Sequence, residues 1–167
     1  MTTATPLLFE RASQKYIAIR TKISRDEIGS IVPEIYSELS AWISANNISI
    51  SGAPIIRYFF IDYGTGDVDI DVGFPISSNA MPANNRIKVD EIPYGTYATL
   101  IHNGSYENLF ETTAMLLAWG RQQGIKWQSP QDSKVSKWKS RIEHYLVGFA
   151  DTQNPNDWKT EVAILVE

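Results

Sequence analysis

Along this chain a strand pattern, a helical pattern and two further strand patterns follow one another in the same order twice, and nothing else in the sequence limits its fold so tightly. In the first run, residues 7–20 hold a turn-like middle, after which Tyr16, Ala18 and Arg20 alternate with Ile17 and Ile19 in the period of an extended strand. From Ser24 the period changes: Ile28, Ile31, Val32, Ile35, Leu39, Trp42 and Ile43 recur every three or four residues and mark one face of a helix. Ser24 and Glu27 form a capping-box start, Asn46-Asn47 give an end, and Pro33 should kink the helix or make it restart. After a turn-rich SGAP come IIRYFFID, a hairpin signal at Tyr63-Gly64-Thr65-Gly66-Asp67, and the alternating VDIDVGF, which read as two antiparallel strands. Val68, Ile70, Val72 and Phe74 share one face, and the acidic row Asp67, Asp69 and Asp71 on the other reads as a solvated sheet face.

Residues 77–86 are small and polar and read as a linker, beyond which the order begins again. RIKVDEIPYGTYATLIHNG is extended, SYENLFETTAMLLAWGRQQG helical, RIEHYLVGF a strand, ADTQNPND a polar excursion, and KTEVAILVE a closing strand. Tyr16 then corresponds to Tyr97, Trp42 to Trp119, Tyr58 to Tyr145, and VGFPI at 72–76 to AILVE at 163–167. One strand–helix–strand–strand unit leaves a sheet face uncovered or an edge unpaired, so two should associate. The expected fold is therefore α+β: duplicated β-α-β-β units, about 6–76 and 86–167, forming one domain over 1–167. Its antiparallel sheet carries two main helices on one side and a ligand groove between the halves.

Composition excludes much of the chemistry such a groove could hold. The 15 Lys and Arg are scattered in a chain of net charge −4, so no basic stripe exists for direct contact with nucleic acid. No signal-peptide pattern or membrane-length apolar run occurs, and cysteine is absent, which fits a cytoplasmic protein without a membrane role. With only His102 and His144, no Gly-x-Ser-x-Gly elbow, no His-Glu-x-x-His run and no phosphate-binding glycine motif, neither a serine hydrolase nor a zinc or nucleotide site is indicated. No cofactor and no metal are expected. Five Trp and eight Tyr supply more ring surface than a core of this size needs, so some should face a ligand.

Two constellations could serve that ligand. In IHNGSYENLF, Ser105 can cap the helix that follows the Asn103-Gly104 turn, which explains the motif structurally; the same turn would bring His102 and Tyr106 to the rim of the groove. In RIEHYL, Glu143 and Tyr145 share one strand face, matched in the first half by Ile56, Tyr58 and Phe60. Either Glu143 is exposed and paired across strands with Lys or Arg, or it stands among rings in the groove without an internal counter-ion. A carboxylate so placed suits a lipophilic cation, which gains charge complementarity and cation–π attraction together.

The doubled plan, the His102-x-Gly104-x-Tyr106 turn, Pro93-Tyr94-Gly95-Thr96-Tyr97-Ala98 and Glu143-x-Tyr145 together resemble the gyrase-inhibitor-like (GyrI-like) small-molecule-binding domain over nearly the whole chain. That domain is also the effector-binding half of AraC-type and MerR-type multidrug-responsive activators, within the wider SOUL-like fold. The resemblance implies that Glu143 is the anion that meets cationic, aromatic drugs. Tyr145 would be its strand neighbour and Tyr58 and Phe60 the facing wall. Trp138 joins the lining, while Trp119 packs its helix onto the sheet. Asn103-Gly104-Ser105 stands where the family often has Gly-Pro, and no helix-turn-helix precedes the domain, so a stand-alone binding module is expected, with a homodimer left open. Two other functions attach to the resemblance. One is hydrolysis of cyclopropane-bearing alkylating compounds, with Glu143 as base and Tyr145 or Tyr58 orienting; the other is a gyrase-inhibitor-type protein interaction.

Overall fold

The computed structural model describes residues 4–77, 84–127 and 134–167, so most of the expected linker at 77–86 lies outside the described residues. The strands are β1 (Leu7–Arg11), β2 (Gln14–Ser24), β3 (Ile55–Asp62), β4 (Asp67–Pro75), β5 (Ile87–Ile92), β6 (Gly95–Asn103), β7 (Val135–Lys137), β8 (Arg141–Val147) and β9 (Lys159–Leu165). The helices are α1 (Ile28–Ala45) and α2 (Leu109–Gln122), each entered through a single 3-10 turn. Among the described residues no helix is long and apolar enough to cross a membrane.

All the strands join one sheet in the order β1-β6-β9-β8-β3-β4-β2-β5, with β7 paired to β3, and every pairing is antiparallel. The order reads alike from either end: β2-β4-β3 on one side mirrors β6-β9-β8 on the other, and the two triplets meet at β3 and β8. The outermost strands are exchanged. β1 precedes β2 in the chain but pairs with β6, and β5 precedes β6 but pairs with β2.

This exchange forces the sheet to curl. Only Ala12 and Ser13 separate β1 from β2, so Arg11 and Gln14 lie within about 11 Å of each other. Five strands intervene between β1 and β2 in the sheet, a distance of about 29 Å if it were flat. The half-barrel that results carries both helices on one face. Register also refines the internal correspondence. Tyr16 faces Pro75 and Tyr97 faces Leu165, so Val72 matches Val162, one residue earlier than the sequence alignment places it.

Local chemistry explains the helix ends. The Ser24 hydroxyl accepts from the Asp26 N–H and the Glu27 carboxylate accepts from the Ser24 N–H, the expected capping box. Helix α1 runs through Pro33 without restarting. Both helices close with the same motif: Ile48 N–H bonds to Ile43 C=O beyond Asn47, and Ile125 N–H to Gly120 C=O beyond Gly124, with positive φ at Asn47 and Gly124. A β-carbon on Gly120 would fall 2.1 Å from the Trp127 ring, so glycine is what lets that indole close the end of α2.

One core cluster takes Val32, Ile35, Leu39 and Ile43 from α1 and Leu109 and Leu116 from α2 onto the sheet, with Trp119 packed at its border. A smaller cluster on the opposite face is built around Tyr16, Tyr97, Ile55 and Ile142.

Three expectations need correction. Leu7–Arg11 is an edge strand, since its pairing comes from the distant β6 and leaves no local signature. Ser105 sits at the N-cap position but makes no side-chain cap bond. The acidic row is solvated only at one end: Asp67 is exposed and Asp69 half-buried, but Asp71 is fully buried, because Lys88 on β5 crosses β2 to meet it at 2.8 Å and the Tyr16 hydroxyl donates to it.

Candidate functional site

The triplets meet through a short ladder in which Ile55, Ile56 and Arg57 pair with His144, Glu143 and Ile142. Following the register outward, Ile19, Val72, Ile56, Glu143, Val162 and Leu100 form one row across the helix-bearing face. Five of the six are buried aliphatics and the sixth is a carboxylate. Above that residue, residues of both helices and of this face enclose a cavity of about 1060 Å³. Its walls come from Val32, Pro33 and Tyr36 of α1, Ile56, Tyr58 and Ile61 of β3, and Arg141, Glu143 and Tyr145 of β8. The approach to α2, the loop at Gly148–Asp151 and Trp158 complete the mouth.

Glu143 is 7% exposed. The Tyr145 hydroxyl donates to its Oε1 at 2.6 Å and the Tyr58 hydroxyl at 3.1 Å. Among the described residues no Lys, Arg or His nitrogen lies within 4.0 Å of it. Burial raises its pKa above the usual carboxylate range, opposed by the Tyr145 hydrogen bond, the nearby positive charge of Arg141 and the Tyr58 hydrogen bond. Burial likewise pushes the phenols of Tyr58 and Tyr145 well up, so both remain protonated donors. Rings extend outward from there. Tyr145 meets Tyr106 edge to face at 5.5 Å, Tyr106 stacks on Trp158 at 4.6 Å, and Tyr36 meets Phe74 at 5.3 Å.

Of the residues expected to line the groove, Glu143, Tyr145, Tyr58, Ile56 and Tyr106 come together on this cavity. Three do not. A β-bulge between Tyr58 and Phe60 inserts one residue, so Phe60 pairs with Asp69 and turns to the opposite face, and Ile61 takes the inward position beside Val68. His102 is on the correct face but engaged. Its Nε2–H donates to the Ser105 carbonyl at 2.7 Å and its Nδ1 lies 2.6 Å from the Thr112 hydroxyl, which fastens the turn onto α2. Trp138 lies behind the wall, where its indole N–H donates to Ser136 and its ring backs Arg141 at 5.1 Å. It borders a second hollow of about 670 Å³ with Phe59 and Phe60.

Sequence reasoning passed over Tyr36, Arg141 and Trp158. Arg141 carried a usable signal, since it stands two residues before Glu143 on one strand face. Tyr36 follows Val32 at helical spacing, whereas Trp158 ends an irregular excursion and had no periodic signal.

No curated protein matches the chain in sequence. Solved structures do match it in shape. EcmrR, in its complex with DNA, superposes with a TM-score of 0.82 at 19% identity over 100% of this chain, which spans only 59% of that protein. The isolated EcmrR C-terminal domain gives 0.78 at 20% identity, covering 98% of both chains. SAV2435 bound to tetraphenylphosphonium gives 0.66 at 13% identity, covering 98% of this chain and 94% of that one. A hydrolase from Listeria innocua gives 0.61 at 12% identity, covering 100% and 94%. At these identities the likeness is one of fold. Residues 8–167 match the family model of the GyrI-like small molecule binding domain, and the chain belongs to that family.

Proposed function

We propose that the protein binds cationic, amphiphilic or aromatic compounds, in the manner of multidrug recognition or sequestration, with Glu143 as the counter-charge. The observation that carries this reading is a buried carboxylate held, among the described residues, by two neutral phenols at the base of an aromatic-lined cavity of about 1060 Å³. Such a carboxylate is costly to keep ionised, and a cation entering the cavity offsets that cost while the surrounding rings add cation–π attraction. The tetraphenylphosphonium bound to SAV2435, a neighbour in fold, is a ligand of this kind. Quenching of tryptophan fluorescence by a panel of dyes and quaternary ammonium or phosphonium compounds tests the reading. Binding undiminished in Glu143→Gln rejects the charge role.

A second reading is hydrolysis. A carboxylate whose pKa is raised by burial, with two phenols orienting it, has the properties of a general base. The Listeria innocua neighbour is described as a hydrolase. Product formation from cyclopropane-bearing alkylating compounds, lost in Glu143→Gln, would favour this reading; stoichiometric binding without product leaves the binding function alone.

A further inference from the structure

The cavity holds a second buried charge that the cation reading does not use. Arg141 is 8% exposed, lines the cavity, and its Nη1 has no hydrogen-bond partner. No carboxylate among the described residues lies within 4.0 Å of its guanidinium. The group is held in place by rings, with Tyr58 at 5.4 Å and Trp138 at 5.1 Å. Stacking of this kind fixes a guanidinium plane but leaves its N–H groups unsatisfied at the edge. The protein's other buried arginine is better supplied: Arg57 donates through both Nη atoms to the Tyr16 hydroxyl and to the carbonyls of Glu91 and Lys139, and only its Nε is left without a partner. A buried donor without a partner is expensive, and arginine cannot relieve the cost by losing its proton.

Resting on the reading above, we infer that the ligand is zwitterionic: a lipophilic cation that also carries a carboxylate or similar anionic acceptor, the cation going to Glu143 and the acceptor to Arg141. The two residues stand two apart on one strand face, which separates their attachment points by about 6–7 Å. A ligand therefore needs a short arm between its charges. A simple cation satisfies Glu143 but leaves Arg141 unpaired and mutually repelled, whereas a zwitterion satisfies both. The other charged lining residues, Arg25, Glu107 and Asp151, are exposed at the mouth, where solvent screens them.

Three probes separate this inference from the reading it rests on: (3-carboxypropyl)triphenylphosphonium, its ethyl ester, and butyltriphenylphosphonium. Affinities are measured by calorimetry on wild type, Arg141→Met and Glu143→Gln, with circular dichroism to establish folding. Wild type should prefer the acid over its ester by about tenfold or more, the worth of a charge-assisted pair. Arg141→Met should abolish that preference. Equal affinity of wild type for acid and ester overturns the inference while leaving cation binding intact, and needs no variant to fold. A preference that survives in folded Arg141→Met also overturns it. Failure of all three probes to bind, or butyltriphenylphosphonium binding unchanged in Glu143→Gln, overturns the cation reading and the inference with it.

Discussion

Two buried carboxylates, Asp71 and Glu143, lie on opposite faces of one sheet in similar company: tyrosine hydroxyls, an arginine and aromatic rings. On the face away from the helices, Asp71 takes a hydrogen bond from Tyr16 and an ion pair from Lys88, and Arg57 shares the same Tyr16. The Phe59 ring is covered by Arg20 at 3.8 Å, Arg57 at 4.7 Å and Lys88 at 5.2 Å. Charge there is neutralised within the chain. Under the helices, Glu143 has two phenols and Arg141 has two rings, but neither has an ionic partner within 4.0 Å among the described residues. Residue type alone does not separate a lock from a receptor. What separates them is whether the chain itself supplies the opposite charge.

The largest expected effect that would break this contrast is on stability. Asp71→Ala removes the buried anion that Lys88 and the Tyr16 hydroxyl meet and should lower the unfolding free energy by about 3 kcal/mol in urea titration. Glu143→Gln keeps an acceptor for both phenols and should cost nothing measurable; equal losses from the two would erase the distinction. Next in size, Glu143→Gln should weaken tetraphenylphosphonium binding by roughly 30-fold, while a folded Asp71→Asn should leave it unchanged.

The pH response sharpens the same contrast. Burial raises the Glu143 pKa in the folded protein, so the native state holds this proton more tightly than the unfolded chain. Cation affinity should fall up to about tenfold per pH unit once the pH drops below that raised value. Over the same interval the stability cost of the buried charge should disappear, closing any gap to Glu143→Gln. Arg141, Tyr58, Tyr145, Tyr106, Tyr36 and His102 are the titratable or charged groups around it, and the phenols stay protonated throughout. Tyr145→Phe removes the shorter of the two hydrogen bonds and should move the binding midpoint upward by about one pH unit. Smaller still, Ser24→Ala, which removes the capping-box acceptor, should cost about 1 kcal/mol of stability.

What could be read in advance depended on how local the cause was. Helical spacing and the capping box at Ser24 are written within a few residues, and they located α1 closely. The doubled order of elements foretold two helices on one face of an antiparallel sheet. The exchange of β1 and β5 left no trace, because edge pairing depends on a partner far along the chain. Phe60 went astray for a different reason: a period of two cannot reveal the inserted residue that turns it outward and Ile61 inward. Asp71 looked solvated because its counter-ion comes from another strand, and Arg141 was passed over although it shared a face with the carboxylate already under suspicion.

The exchanged edge strands also decide how a guest can be admitted. Each half lends its leading strand to the other, so swinging the halves apart would mean peeling β1 from β6, β5 from β2 and β3 from β8 together. Losing those ladders at once makes that route costly. A less costly passage lies between the front of α2 and the Gly148–Asp151 loop, which no strand ladder joins, with the stacked Tyr106 and Trp158 as the doorpost. Substitutions at that doorpost should therefore alter how fast a guest comes and goes, while the floor at Glu143 governs how long the bound state is worth keeping.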